Sequence, residues 1–344
     1  MRTSRLAAAL VAVLALILTG CGSGAATATA GDTRTITDMN GRTVEVPATV
    51  SRVVTLGAVP VINSFLFALG EGEVIVNGLP DFARNPRWKY QYVFAPQIEQ
   101  QPVTQSADRQ PSTEKILDLK PDVVLTMHKE DAEPLERLGL KVVTLKWRDP
   151  EDVTKVVDLL GQVLDQPERA RAYTGYFDRS RRQIADALAA VPAADRTSAL
   201  YLSHKAMTRP HLIAEWWITQ AGGRSVTEGS EQESLKLNIE QILAWNPQVI
   251  FVSSSAEITA VIEDPRLAGV AAVQNKRVYA TPIAAHLWGN RTSEQPLTVL
   301  WAAKQLYPDQ LAGLDLAGEV SRFYSEIYKT ELDNAQVDEI LAGL

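Results

Sequence analysis

Between residues 33 and 47 the sequence TRTITDMNGRTVEVP alternates polar and apolar positions on both sides of Asn40-Gly41. Alternation around Asn-Gly is the strongest short-range signal for a tight hairpin, so an N-terminal β-ribbon is predicted there. Short β-branched runs then alternate with helical patterns: RVVTL (52–56), VINSFLFALG (61–70), EVIVNG (73–78), STEKILDLK (112–120), DVVLTM (122–127), DAEPLERLG (131–139) and KVVTL (141–145). Strands alternating with helices predict a parallel α/β arrangement. From 151 to 190 the β signal disappears, and apolar residues recur at helical spacing through VVDLLGQVL and, after Pro167, through ERARAYTGYFDRSRRQIADALAA. The second piece predicts about 23 residues of helix, roughly 35 Å long. The β/α pattern resumes with SALYLS (198–203), NIEQILAWN (238–246), QVIFVS (248–253) and RVYATP (277–282), and closes on helical stretches at 293–306 and about 316–342. The pattern divides the chain into an N-terminal α/β lobe (35–166), a stiff connecting helix (167–190) and a C-terminal α/β lobe (191–344), both lobes with mainly parallel sheets.

The two α/β regions repeat each other. EKILDLKPDVVL, starting at Glu114, reappears without a gap as EQILAWNPQVIF, starting at Glu240, an offset of 126 residues. In each copy a helix ends ahead of a proline, a buried strand follows, and a glutamate stands in the first helical turn. One reading of these glutamates is favourable interaction with the helix dipole, about 0.3 to 1 kcal/mol. The other is a matched pair of carboxylates, one per lobe, that docks on a partner.

Composition changes the picture mainly at the N-terminus. Arg2 and Arg5 precede an unbroken apolar run, LAAALVAVLALIL, and small residues lead to Cys21, the only cysteine. That layout is a secretory signal peptide (1–20), with an apolar run too short for a comfortable membrane span. Leu18-Thr19-Gly20-Cys21 also resembles the lipobox of bacterial lipoproteins, which implies an acylated Cys21 as the first mature residue and an exported protein held to the cell membrane by lipid alone. The alternative is an ordinary signal peptide with an incidental thiol. Residues 21–34, small and featureless at first, suit a flexible tether. Loss of Arg2 and Arg5 takes the formal charge from −7 to −9. Such a surface does not seek nucleic acid or anionic lipid. The 46% hydrophobic and 22% charged composition is that of a globular protein.

With these motifs in place, the chain resembles the substrate-binding proteins of ABC importers for ferric siderophores, haem and cobalamin. The resemblance covers residues 35–340 and is carried by DMNGRTVEVP with RVVTL behind it, the EKILDLKPDVVLT and EQILAWNPQVIFV pair, the lipobox, DPRLAGVAAVQNKRVYATP and EQPLTVLWAAKQLYPD. It implies two lobes joined by one rigid helix, a ligand cleft between them, small lobe movements, a monomer, no cofactor and no catalysis. The partners it implies are an ABC permease with its ATPase, engaged by Glu114 and Glu240. A ferric siderophore is the first expectation for the cargo; haem, a corrinoid or a metal ion held by histidines stay open.

Ligands of open α/β sheets bind beyond the carboxyl ends of the strands. The segment after EVIVNG concentrates Phe82, Arg84, Arg87, Trp88, Tyr90, Tyr92 and Phe94, a mixture that suits a wall for a large, partly anionic, partly planar ligand. Packing within the lobe is the competing explanation. His128, His204, His211 and His286 fall near predicted strand ends, and Arg209, Trp288 and Arg291 are further cleft candidates from the second lobe. No compact metal-ligand spacing such as HExxH is present, so no metal ligand is assigned. An exported hydrolase finds little support: Gly223-Arg-Ser225-Val-Thr227 lacks the last glycine of a nucleophile elbow, and Gly70-Glu-Gly72 lacks the third glycine of a dinucleotide fingerprint. A lipid-anchored module that docks a protein without carrying a small molecule is a third reading.

Overall fold

The computed structural model describes residues 32–147 and 151–344. The predicted signal peptide, Cys21 and most of the predicted tether lie outside the described residues. The predicted ribbon forms from β1 (Thr33–Thr37) and β2 (Thr43–Pro47), antiparallel with Thr37 opposite Thr43. In its turn the Asp38 carboxylate accepts the N–H groups of Asn40 at 3.0 Å and Arg42 at 2.9 Å. Gly41 supplies the positive φ, +78°, that such a turn requires. Thr33 and Arg34, where the predicted ribbon and the predicted tether overlap, belong to the strand. Arg34 is held there by Asp165 at 2.9 Å and by the Val163 carbonyl at 3.0 Å.

β3 (Val53–Leu56), β4 (Val123–Thr126) and β5 (Val142–Thr144) form the parallel N-terminal sheet in that order, every residue buried. Continuous apolar runs are what a sheet covered on both faces demands. EVIVNG contributes less than a strand, since Gly72–Val74 form a 3₁₀ turn and Ile75 makes one parallel bridge to Val53. The C-terminal lobe contains β6 (Ser198–Tyr201), β7 (Thr208–Arg209), β8 (Arg224–Ser225), β9 (Leu235–Lys236), β10 (Val249–Val252) and β11 (Val278–Ala280). Its parallel sheet runs β11-β10-β6-β8, and β7 pairs with β9 antiparallel at one side.

The 126-residue repeat is visible in the backbone. Helices Thr113–Asp118 and Ile239–Trp245 each bury one isoleucine completely, Ile116 and Ile242. Both segments then reverse through a left-handed residue, Lys120 at φ 46° and Asn246 at φ 45°, and enter an interior strand of their sheet. Even the anchoring is matched. Asp122 accepts the Arg52 N–H at 2.9 Å just before β3, and Gln248 accepts the Ser198 N–H at 2.9 Å at the start of β6.

The connecting helix spans Pro167–Ala187, about 31 Å long at the α-helical rise. Ala170, Tyr173, Phe177, Ser180 and Ile184 line its buried stripe. One continuous core joins that stripe to Phe65 and Leu66 of the first lobe and to Trp217, Phe251 and Trp301 of the second. Buried hydrogen bonds also tie the lobes directly. Ser293 Oγ donates to the Ser64 carbonyl at 2.7 Å, Gln91 Nε2 to the Ala285 carbonyl at 2.6 Å, and Tyr173 OH on the helix to the Ser293 carbonyl at 2.7 Å. The stiffness that the sequence reading credited to the helix is thus shared with a packed, hydrogen-bonded joint. The final helical stretch divides at Lys329, whose φ of 58° separates Leu316–Phe323 and its π-turn continuation from Asn334–Leu341. Among the described residues no helix is long and apolar enough to cross a membrane.

Candidate ligand cleft between the lobes

The carboxyl ends of β3, β4, β6 and β10 face one cavity of about 630 Å³ between the lobes. Ala58, Pro60 and Val61 follow β3, Met127 follows β4, Tyr201 ends β6 and Ser253 follows β10. Trp88, Phe82, Trp147 and Leu287 complete apolar walls, and the guanidiniums of Arg87, Arg109 and Arg291 stand among them. A volume of this order suits a drug-sized ligand rather than a bare ion.

The predicted aromatic segment divides between the cleft and the interior. Phe82, Arg87 and Trp88 line the cleft. Trp88 packs on His286 with ring centroids 5.0 Å apart, and Arg87 reaches across to the Ser253 carbonyl at 2.7 Å. Arg84 instead binds its own lobe, donating to the Leu79 carbonyl at 2.9 Å. Residues Lys89–Phe94 form a helix, which sends Tyr90 and Phe94 to one side, away from the cleft. Tyr90 OH donates to Glu339 at 2.8 Å, and Phe94 stacks on Tyr324 at 5.2 Å. Tyr92 packs half-buried against the core.

The second lobe's candidates divide the same way. Arg291 grips Glu233 with two hydrogen bonds, 2.5 and 2.7 Å, and His211 approaches the same carboxylate at 3.2 Å, all three at the cleft. Burial alone would raise the Glu233 carboxyl, but His211 and Arg291 outweigh it and hold the group at about 2. Arg209 is fully buried, bonded to Glu215 at 2.7 Å and to the Gln232 carbonyl. It therefore fixes the loop that presents Glu233 instead of meeting a ligand. His204 pairs with Asp264 at 2.8 Å, and His128 lines a neighbouring cavity with Glu130 and Asp131. Trp288 is fully buried in the core. Among the described residues no cluster of three or more histidine, cysteine or carboxylate groups is placed to hold a metal ion. Glu114 and Glu240 both stand exposed in the first turns of their helices, away from the cavity lining.

Beneath the cleft lies a carboxylate that the sequence reading passed over. Glu294 is fully buried and accepts the N–H groups of Ala285 at 3.0 Å and His286 at 2.9 Å, the Thr292 hydroxyl at 2.9 Å and the Tyr324 hydroxyl at 2.5 Å. Burial raises its pKa, and those four hydrogen bonds work against the rise. Glu294 thereby fixes the loop carrying His286 and Leu287. On the same loop Gly289 is required by close approach, since a Cβ there would lie 2.6 Å from the Tyr201 hydroxyl oxygen.

The profile of the family described as periplasmic binding protein matches residues 65–285, from after β3 through the connecting helix and past β11. The chain belongs to that family. Members are exported solute-binding components that work with an ABC permease and its ATPase, and they are not enzymes, so the hydrolase alternative falls. This periplasmic binding protein is 25% identical over 342 residues to the molybdate-binding protein MolA of Haemophilus influenzae, covering 88% of this chain and 93% of that one. It is 26% identical over 188 residues to the vitamin B12-binding protein of Vibrio vulnificus, covering 51% of this chain and 62% of that one. A solved periplasmic solute binding protein from Veillonella parvula superposes with a TM-score of 0.79 at 25% identity, covering 90% of this chain and 97% of that one.

Arg109, Tyr201, Trp147 and Glu233 line the cleft of this binding protein without having been expected there. Tyr201 was legible in principle, because it ends the strand SALY. Arg109 was not: it enters through a turn in which its own φ is 66°.

His286 gives the cleft a measurable pH signature. Its burial lowers the imidazole to about 3, the Leu287 carbonyl opposing and the positive charges of His211 and Arg87 assisting. An unfolded histidine binds its proton near pH 6.5. The folded protein refuses that proton, so this contribution to stability is complete above about pH 6.5 and is lost as pH falls towards about 3. Urea unfolding across that window is expected to show a slope that shrinks in His286→Gln. An unchanged slope in the variant would assign the acid lability elsewhere.

Proposed function

We propose that this periplasmic binding protein is tethered to the cell membrane through Cys21, captures an anionic metal chelate, a ferric siderophore foremost, and hands it to an ABC permease through Glu114 and Glu240. The observation that carries the cargo reading is the lining of the cleft. Three arginines, one of them reaching across to the opposite lobe, stand among Trp88, Phe82, Trp147 and Tyr201 around about 630 Å³. Guanidiniums suit the carboxylate or catecholate periphery of a chelate, and aromatic faces suit its planar parts. Neutral His286 adds no charge to compete. The tether rests on the LTGC motif and the small residues that follow it.

Molybdate is the second reading, favoured by the near full-length similarity to a molybdate-binding protein. Arg87, Arg291 and His211 would supply donors for such an oxyanion, while the volume and the aromatic walls exceed what a four-oxygen anion needs. Trp88 and Trp147 line the cavity and provide the signal that separates the two. Titration with ferric siderophores, haemin, cobalamin and molybdate, followed by tryptophan fluorescence, is expected to give saturable quenching with a ferric siderophore alone. Saturation by molybdate, cobalamin or haemin in its place overturns the siderophore reading.

A further inference from the structure

Of the three arginines that line the cleft, one already holds an anion that the protein itself supplies. Arg291 is sunk in the wall, its side chain 11% exposed, whereas its partner Glu233 is 52% exposed. Arg291 Nη1 donates to Glu233 Oε1 at 2.5 Å and Nη2 to Oε2 at 2.7 Å, the two-pronged geometry in which a guanidinium takes any carboxylate. His211 Nδ1 lies 3.2 Å from the same Oε1. The three groups come from separate segments: His211 just after β7, Glu233 from the loop between β8 and β9, and Arg291 from the loop beyond β11. Arg87 is engaged differently, since it donates to a neutral carbonyl, that of Ser253. The two partners of Glu233 hold its carboxyl at about 2, so it stays ionised at ordinary pH and gives up Arg291 only in exchange for another anion. Arg209 grips the backbone at Gln232, and Glu233 itself is exposed. Rotation about the bonds of the Glu233 side chain is therefore enough to vacate the site, with the loop left in place.

We infer that Glu233 is a built-in stand-in for the anionic edge of the cargo: it fills the Arg291–His211 subsite before cargo arrives, and a carboxylate, catecholate or oxyanion of the cargo displaces it. The inference rests on the anionic-cargo reading above and assigns the residue that sets its selectivity. The exchange replaces one charge-assisted pair by another, so the sunken guanidinium has an anion on it at every stage. It also discriminates. A cargo with two oxygens at that edge recovers the whole contact, while one without them leaves Glu233 in the cleft, where its charge repels other anions. The competing reading is a fixed Glu233 that only lowers the positive charge of the wall.

The test is titration of the full-length protein with ferric enterobactin, ferric citrate and molybdate, followed by tryptophan fluorescence, with Glu233→Gln and Glu233→Asp alongside. Glu233→Gln removes the competing charge and one accepting oxygen. It is expected to tighten the anion that saturates the wild-type protein about tenfold, as for a site relieved of an occupant present about nine-tenths of the time. Glu233→Asp keeps the charge but, one methylene shorter, loses the two-pronged grip, and about threefold tightening is expected. Tightening by Gln with none by Asp shows that charge alone matters and overturns the exchange. Unchanged affinity in both variants overturns it as well, and weaker binding in Glu233→Gln makes Glu233 a direct contact of the cargo instead. A crystal structure of the loaded wild-type protein is expected to show Arg291 on cargo oxygens; Arg291 still paired with Glu233 overturns the exchange. Saturation by molybdate alone overturns the siderophore reading and leaves the exchange to be decided on molybdate. Failure of all three anions to saturate the wild-type protein and both variants overturns the anionic-cargo reading and the exchange with it.

Discussion

The double variant Glu114→Ala with Glu240→Ala is expected to abolish cargo uptake, a fall of about 100-fold or more, while cargo affinity stays at its wild-type value. Each carboxylate is exposed and makes no ion pair among the described residues, so its removal breaks no internal contact. The competing structural role is interaction with the helix dipole, about 0.3 to 1 kcal/mol at each site. The second helix would bear that loss easily, because Asn238 and Gln241 close a reciprocal capping box at its start. A dipole role would therefore appear as a small shift in unfolding midpoint with uptake intact. A docking role appears as lost uptake with the midpoint almost unmoved. Each single variant should fall between wild type and the double variant, since a partner gripping both lobes loses half its charged contacts. Weakened cargo binding in the double variant would contradict the separation of docking face and cleft.

The repeat was legible because it is a matter of local rules. A proline after a helix, a left-handed residue before it and a run of four buried apolar residues are all written in neighbouring positions, and EKILDLKPDVVL and EQILAWNPQVIF contain them in register. The ribbon and the connecting helix were legible for the same reason. The cleft was legible in its floor plan and only partly in its residues. Strand ends point to Gly57-Ala58, Met127, Tyr201 and Ser253, but the direction of a side chain in a loop depends on turns that only the fold decides. The segment 82–94 shows the limit. Its arginines and aromatics suit one wall by composition, yet the short helix at Lys89–Phe94 turns Tyr90 and Phe94 against the C-terminal elements. Arg209, Trp288 and His204 do not line this cavity, for a related reason. A polar or aromatic residue after a strand can point into the lobe as readily as out of it, and Arg209 finds Glu215, and His204 finds Asp264, inside. Arg87, Trp88, His286 and Arg291 do meet at the cavity, and they come from both lobes.

Glu294→Ala is expected to lower stability by about 4 kcal/mol, since leaving a buried donor without its acceptor costs about 1 to 3 kcal/mol each. The substitution strands four donors at once: the N–H groups of Ala285 and His286 and the hydroxyls of Thr292 and Tyr324. The hydroxyls can rotate towards other acceptors, whereas the two backbone groups cannot, so most of the loss belongs to the loop. Glu294→Gln keeps the volume but turns one accepting oxygen into a donor, and about half the loss, near 2 kcal/mol, should remain. Urea midpoints for both variants check the order. The same variants connect the joint to the cleft, because Ala285 also accepts Gln91 from the opposite lobe at 2.6 Å and His286 faces Trp88. A loop released from Glu294 loses its register with both. Cargo affinity should then fall in Glu294→Gln even where the protein remains folded, although the side chain touches no cargo. Wild-type affinity in a destabilised Glu294→Gln protein would show that the loop keeps its position through Gln91 and the core alone, and that Glu294 serves the joint between the lobes without shaping the cleft above it.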